Sequence, residues 1–183
     1  LTLFSTRGFA ATSLADIARA SDISKAGLLH HYSSKDQLLA AVLEERDRRT
    51  MSRLPGEGAG AEAALDAWGE MVAHNQRHPD GVALYTAMSA SVIDVEHQAH
   101  PWFRHHLMAA IQYLGDSLER GKVTGEVRVD APSEQIARKL VALSDGLQVQ
   151  WLCSRADGRC DVDMHSVTAG VVADIKDRWL IRS

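Results

Sequence analysis

Cysteine, proline and aromatic side chains are scarce in this chain of 183 residues: two Cys, four Pro, four Trp, three Tyr and three Phe. Cys153 and Cys160 are too few for a disulfide framework and lack the close CxxC spacing of a zinc or redox site, so free thiols in a reducing cytoplasm are expected. No run of about eighteen apolar residues occurs, which argues against a membrane-spanning helix, and no signal-peptide pattern is visible. β-branched runs are few, and only EVRVD (126–130) alternates like a strand. There is no nucleophile–base pair, phosphate loop or paired metal motif, so neither enzymatic activity nor a cofactor is expected. The chain begins at Leu1, already inside an apolar pattern with Leu3 and Phe4, and an N-terminal arm is expected to be missing upstream.

What remains is helical periodicity almost throughout, broken at Gly8, Asp22 to Ser24, Ser33 to Ser34, PGEGAG (55–60), HPDG (78–81), AHP (99–101), GKVTGE (121–126) and RADGRCDVD (155–163). About nine helices follow, hence an all-α fold: a small N-terminal module over residues 1–45 and a larger helical body over 46–183. A helix from about Ser34 to Arg53 joins them. Its EERDRR segment alternates in sign and reads as a solvated face. Net charge is -4, unevenly spread: residues 1–53 hold eight Lys and Arg against six Asp and Glu, the remainder twelve against eighteen. An anionic polymer would meet the N-terminal part first.

That part holds the densest punctuation, SDISKAGLLHHYSSKDQLL (21–39). Ser13 followed by Asp16 forms a capping-box pattern, opening a helix with Leu14, Ile17 and Ala18 on its inner face. Three linking residues, Ser21, Asp22 and Ile23, separate it from a new N-cap at Ser24, and Asp22 is the candidate for a left-handed turn. So short a link forces a sharp angle between two helices, a helix-turn-helix pattern. In the second helix Leu28 and Tyr32 face inward, whereas Lys25, Ala26, Leu29 and His30 face out. Ser34 caps the next helix with Gln37 three residues on, and Lys35 lies in its first turn. Lysine is the wrong charge for a helix N-terminus, so an external phosphate is its natural partner.

The stretch GFAATSLADIARASDISKAGLLHHYSSKDQLL (8–39) resembles the DNA-binding head of the tetracycline-repressor (TetR) family of bacterial transcription regulators. The resemblance rests on the Gly–aromatic pair, the Thr–Ser cap, Ile17-Ala18, the Ser24-Lys25 start, Leu28, His31, the aromatic at 32 and Ser34-Lys35. It implies that the helix from Lys25 to Tyr32 enters the major groove of double-stranded DNA, while Ser13, His31 and Lys35 hold phosphates. Ser24, Lys25, Ala26, Gly27, Leu29, His30 and Ser34 complete the expected DNA-binding set. Leu29 stands where the family commonly has a phosphate-binding Tyr. Ala26 and Gly27 offer no side-chain hydrogen bonds, so Lys25 and His30 are the best base readers and Ala26 is suited to a thymine methyl.

By the same resemblance, the body binds an effector and dimerises. Trp68, Met71, Asn75, Tyr85, Met88, Trp102, Phe103, His106, Tyr113, Gln148 and Trp151 are the candidate effector pocket, with Asn75, His106 and Gln148 as polar anchors. A helix from Ser133 carries two apolar stripes, Ile136, Leu140, Leu143 and Leu147 beside Ala137, Val141, Gln148 and Leu152. This suggests burial on two sides. Leu140, Leu143, Leu147, Val167, Val171, Ile175 and Trp179 are the expected homodimer interface, matched by a palindromic operator. His97, His100, His105 and His106 fit no compact zinc motif, and no metal is expected. The resulting expectation is a cytoplasmic repressor released from DNA by a small, largely apolar effector. A constitutive binder or activator without an effector is the alternative, and an all-α enzyme a remote one.

Overall fold

The computed structural model describes residues 2–56, 58–89, 91–156, 158–159 and 161–181; Leu1 and Cys160 lie outside the described residues. Among these the chain forms nine α-helices: α1 (Thr2–Ala11), α2 (Leu14–Ala20), α3 (Lys25–His31), α4 (Lys35–Met51), α5 (Ala61–Arg77), α6 (Pro79–Ser89), α7 (His100–Thr124), α8 (Ser133–Ala156) and α9 (Met164–Trp179), with a 3-10 turn at Ser91–Ile93. The all-α class and the helix number agree with the sequence. The EVRVD alternation amounts to one antiparallel bridge, Val127 to Leu180, flanked by hydrogen bonds from Arg128 N–H to the Trp179 carbonyl (2.9 Å) and from Ile181 N–H to the Glu126 carbonyl (2.8 Å). No described helix is long and apolar enough to cross a membrane.

Packing divides the chain into two compact units, residues 1–49 with 78–105, and residues 50–77 with 106–183. In the first, α1 bends at Gly8 (φ 78°), a left-handed geometry in which a side chain would be strained, and packs on α6. Leu39 and Leu43 of α4 are fully buried, as are Val82, Leu84, Tyr85 and Met88 of α6. Each such side chain stabilises the unit by roughly 1.5 to 3 kcal/mol through area removed from water. Tyr85 stacks on Phe103 with ring centroids 4.7 Å apart. The EERDRR reading needs correction here, because the side chains of Arg46 and Asp47 are only 12% and 18% exposed. The Arg46 guanidinium lies 5.0 Å from the Tyr85 ring centre, and this cation–π contact takes the place of solvent.

In the second unit α9 packs against α5 and α8. Trp68 is buried and donates to Ser144 Oγ at 3.1 Å, and that hydroxyl donates to the Leu140 carbonyl at 2.9 Å, so the indole N–H brings no unpaired polar group into the core. Glu126 organises this unit. Its carboxylate accepts from the N–H groups of Ala61 (2.9 Å) and Glu62 (2.8 Å), capping α5 from 65 residues away, while its own N–H donates to the Gly121 carbonyl at 2.8 Å. The close approach requires glycine twice: a Cβ at Gly60 would lie 2.8 Å from the carboxylate, and one at Gly121 would run into Val127 Cγ2.

The two apolar stripes of α8 prove to be flanks of one broad face. Ile136, Ala137, Leu140, Val141, Ser144, Leu147, Gln148 and Trp151 are all buried within the unit. At about 100° per residue they span one continuous arc, with Leu143 and Leu152 at its margins. The expectation of burial on two separate sides is therefore corrected. The opposite face presents Gln135, Lys139, Ala142, Gly146, Val149 and Cys153 to solvent, at alternating spacings of four and three.

Candidate nucleic-acid interface

The capping box at Ser13 forms as its sequence spells it. Asp16 N–H donates to Ser13 Oγ (3.1 Å), Ser13 N–H donates to Asp16 Oδ2 (3.2 Å), and the Ser13 hydroxyl donates to the same oxygen (2.6 Å). Arg19 pairs with the other carboxylate oxygen. The Ser13 hydroxyl, then the Ser13 N–H, and to a lesser extent the charges of Arg19 and Arg7, hold the Asp16 carboxyl below its ordinary value against slight desolvation.

After α2 the chain turns through Asp22 at φ 54°, the one positive φ of a non-glycine residue among those described. Ile23 N–H reaches the Ala18 carbonyl (3.0 Å) and Asp22 N–H the Arg19 carbonyl (3.3 Å), the paired closing bonds of a left-handed helix stop. Ser24 then starts α3 by accepting from Gly27 N–H at 2.9 Å. Leu28 is buried with Ala18 and Leu38 and is flanked by Leu14, Ile17, Tyr32 and Val42. With that face locked inward, Lys25, Ala26, Leu29 and His30 are exposed, Leu29 to 40%. His31 is exposed as well, its ring edge-on to that of His30 at 5.4 Å.

Ser34 caps α4 by accepting from Gln37 N–H at 3.0 Å, and the Gln37 side chain accepts from Ser33 N–H. Lys35, in the first turn, donates to the Phe9 carbonyl at 2.8 Å and sits 4.2 Å from the Phe9 ring centre. This clasp between α1 and α4 was not legible beforehand. Its signal was the aromatic at position 9, whose partner lies 26 residues on.

The other candidates scatter. Tyr85, Met88, Trp102 and Phe103 belong to the first unit, whereas Trp68, Met71, Asn75, His106, Tyr113, Gln148 and Trp151 belong to the second. Trp68, Tyr85, Met88, Phe103, Gln148 and Trp151 are buried, and the other five are half-buried. A groove of about 260 Å³ on the second unit is lined by Asp66, Gly69, Glu70, His165, Ala169, Val172, Ala173 and Lys176, none of them a candidate pocket residue. Of the expected interface, Leu140 and Leu147 are core residues of their own unit, Leu143, Val171, Ile175 and Trp179 are half-buried, and Val167 is 44% exposed. Among the described residues no three His, Cys, Asp or Glu side chains gather as a metal site would need.

A short capped helix pinned by one leucine, with its outer face bare, and a three-residue turn before it define a helix-turn-helix. Comparison with known proteins agrees. Residues 1–42 match the model of bacterial regulatory proteins of the tetR family. The HTH-type transcriptional repressor Rv3405c of Mycobacterium tuberculosis is 38% identical over 73 residues, which are 39% of this chain and 39% of that protein. The chain thus aligns with well under half the length of that relative. A TetR transcription regulator from Haloarcula marismortui shares the fold over 97% of this chain and 92% of its own, with a TM-score of 0.81 at 20% identity. A transcriptional regulator from Saccharomonospora viridis, solved in complex with choline, does so over 99% and 93%, with a TM-score of 0.78 at 20% identity. Residues 1–42 are thus similar to the tetR family of bacterial regulatory proteins, and the chain as a whole shares the fold of these solved regulators.

Proposed function

We propose that this regulator is a homodimeric repressor that docks α3 in the major groove of a palindromic operator and leaves it when a small effector binds. The observation carrying the reading is the division of α3 into a buried Leu28 and an outward face of Lys25, Ala26, Leu29 and His30. Lys25 and His30 supply donors for base edges, and Ala26 and Leu29 supply apolar contact for thymine methyls. Ser13, Ser24, Gly27, His31, Ser34 and Lys35 add caps, N–H groups, an imidazole and one ammonium suited to phosphates.

Dimerisation would use the outward faces of α8 and α9, where Val149 (48% exposed) and Val167 stand among small residues. The choline-bound neighbour supports an effector site, since it shows the shared fold holding a small molecule.

The test is fluorescence anisotropy with duplexes from the DNA flanking the gene, against random duplex, over a salt series. A preferred fragment whose affinity falls steeply with salt is the expected result. Equal, salt-insensitive affinity for every duplex would sink the reading.

A further inference from the structure

Half-buried cations in this protein are generally matched. Arg46 has Asp47 and the Tyr85 ring, Lys122 has Glu119, and Lys176 has Glu62 and Asp66. Arg120 of α7 is half-buried without such a match. Among the described residues no carboxylate pairs with it, its Nε is buried without a hydrogen-bond partner, and its one bond runs from Nη2 to Ser117 Oγ at 3.0 Å. Ser117, itself buried, donates to the Tyr113 carbonyl at 2.8 Å and so fixes one edge of the guanidinium. Two turns back, Tyr113 Oη is likewise buried and without a partner. Burial pushes this phenol upward, with the Arg120 charge acting in the opposite direction, and the group stays a neutral donor at physiological pH.

Positions 113, 117 and 120 share a face of α7. That face offers a half-buried cation with its Nε buried and a buried hydroxyl donor, and among the described residues no anion meets them. Leaving such groups unsatisfied is destabilising unless something else completes them.

We propose that Arg120 and Tyr113 anchor a small carboxylate-bearing molecule, the exposed edge of the guanidinium taking its carboxylate and the Tyr113 hydroxyl donating to an oxygen of the same molecule. The planar guanidinium fork matches a carboxylate. A single positive charge suits a monoanion better than a phosphate dianion. The assignment rests on the effector reading above and names its chemistry: an apolar molecule with an acid at one end.

The full chain is titrated with octanoate, benzoate and phenylacetate, each beside its uncharged amide, following thermal stability and tryptophan fluorescence. At least one acid raises the melting temperature and its amide does not. Arg120→Gln weakens that acid by at least about tenfold, and Tyr113→Phe by less. Without ligand, Tyr113→Phe melts at the same temperature as wild type or higher, because it removes an unsatisfied donor. Arg120→Lys serves as the second variant should the glutamine variant not fold, and it too weakens the acid, since an ammonium lacks the fork.

The proposal is overturned if no acid stabilises the wild type, if both Arg120 variants keep wild-type affinity, or if Tyr113→Phe lowers the ligand-free melting temperature. Duplex binding measured in parallel separates the two readings. Arg120-dependent acid binding without DNA binding upholds this site and removes the regulator reading; DNA binding with no response to any acid does the reverse.

Discussion

Lys35 is already engaged before any phosphate reaches it, through the Phe9 carbonyl and ring. An ammonium carries three donors, so one side chain can both clasp α1 and meet a phosphate. Lys35→Ala should therefore act twice. Melting should show a loss of about 1 kcal/mol. Anisotropy should show similar weakening on all duplexes, with the salt slope flatter by about one unit. An unchanged slope would remove the phosphate role and leave the clasp. Lys25, which faces outward, should behave differently: Lys25→Ala costs about 1 to 3 kcal/mol on the operator and relaxes one base position, read from a panel of single-base variants. Asp163 titrates with folding. Its carboxyl caps α9 by accepting from Ser166 N–H (3.1 Å), and that bond, ahead of lesser contributions from Gln76 and His165, holds it below its ordinary 3.8 against slight desolvation. A folded value below the unfolded one means that the contribution is complete above pH 3.8 and is lost as pH falls through the folded value. Asp163→Asn, which keeps a capping oxygen but does not titrate there, should flatten the fall in melting temperature on acidification below pH 4, roughly the unperturbed carboxylate range.

At the scale of elements, what was legible is what closes locally. Ser13 with Asp16, Ser24 with Gly27 and Ser34 with Gln37 each bond across three residues, so their spacing spells the start of α2, α3 and α4. The left-handed Asp22 was legible for the same reason, since a three-residue link leaves few other ways to turn. Distant contacts were not legible. Nothing near Arg46 announces Tyr85, and nothing near Gly60 announces Glu126. Periodicity also misled in α8: it marked both flanks as apolar, but only the packing of α8 with its neighbours decides whether two flanks are two surfaces or one broad one. The Glu126 cap can be tested directly. Glu126→Ala leaves the Ala61 and Glu62 N–H groups without their acceptor and should lower stability by about 1 to 3 kcal/mol in denaturant melts, with Glu126→Gln recovering part of the loss. Equal stability for all three would mean that water replaces the carboxylate at no cost.

For the whole molecule, the outward face of a seven-residue helix is long enough to meet only a few base pairs, so under the proposed function specificity calls for two such helices at a fixed separation. The excess of Lys and Arg before residue 54 and of Asp and Glu after it favours approach to DNA with the N-terminal region leading. If the outward faces of α8 and α9 hold two copies together, Val149→Glu combined with Val167→Glu should sediment as a monomer with unchanged helical circular dichroism. It should keep weak binding to random duplex and lose preference for the operator; a dimer that persists would place the contact elsewhere. The long reach of Glu126 bears as well on how the protein is made. The caps of α2, α3 and α4 lie within three residues of the helices they start, so these helices can close as soon as they leave the ribosome. The start of α5 must wait for position 126, and the Glu126 carbonyl in turn waits for Ile181. Synthesis thus delivers the helix-turn-helix before the second unit, which stays open until Ile181 has been added and meanwhile exposes its apolar helices to chaperones and proteases.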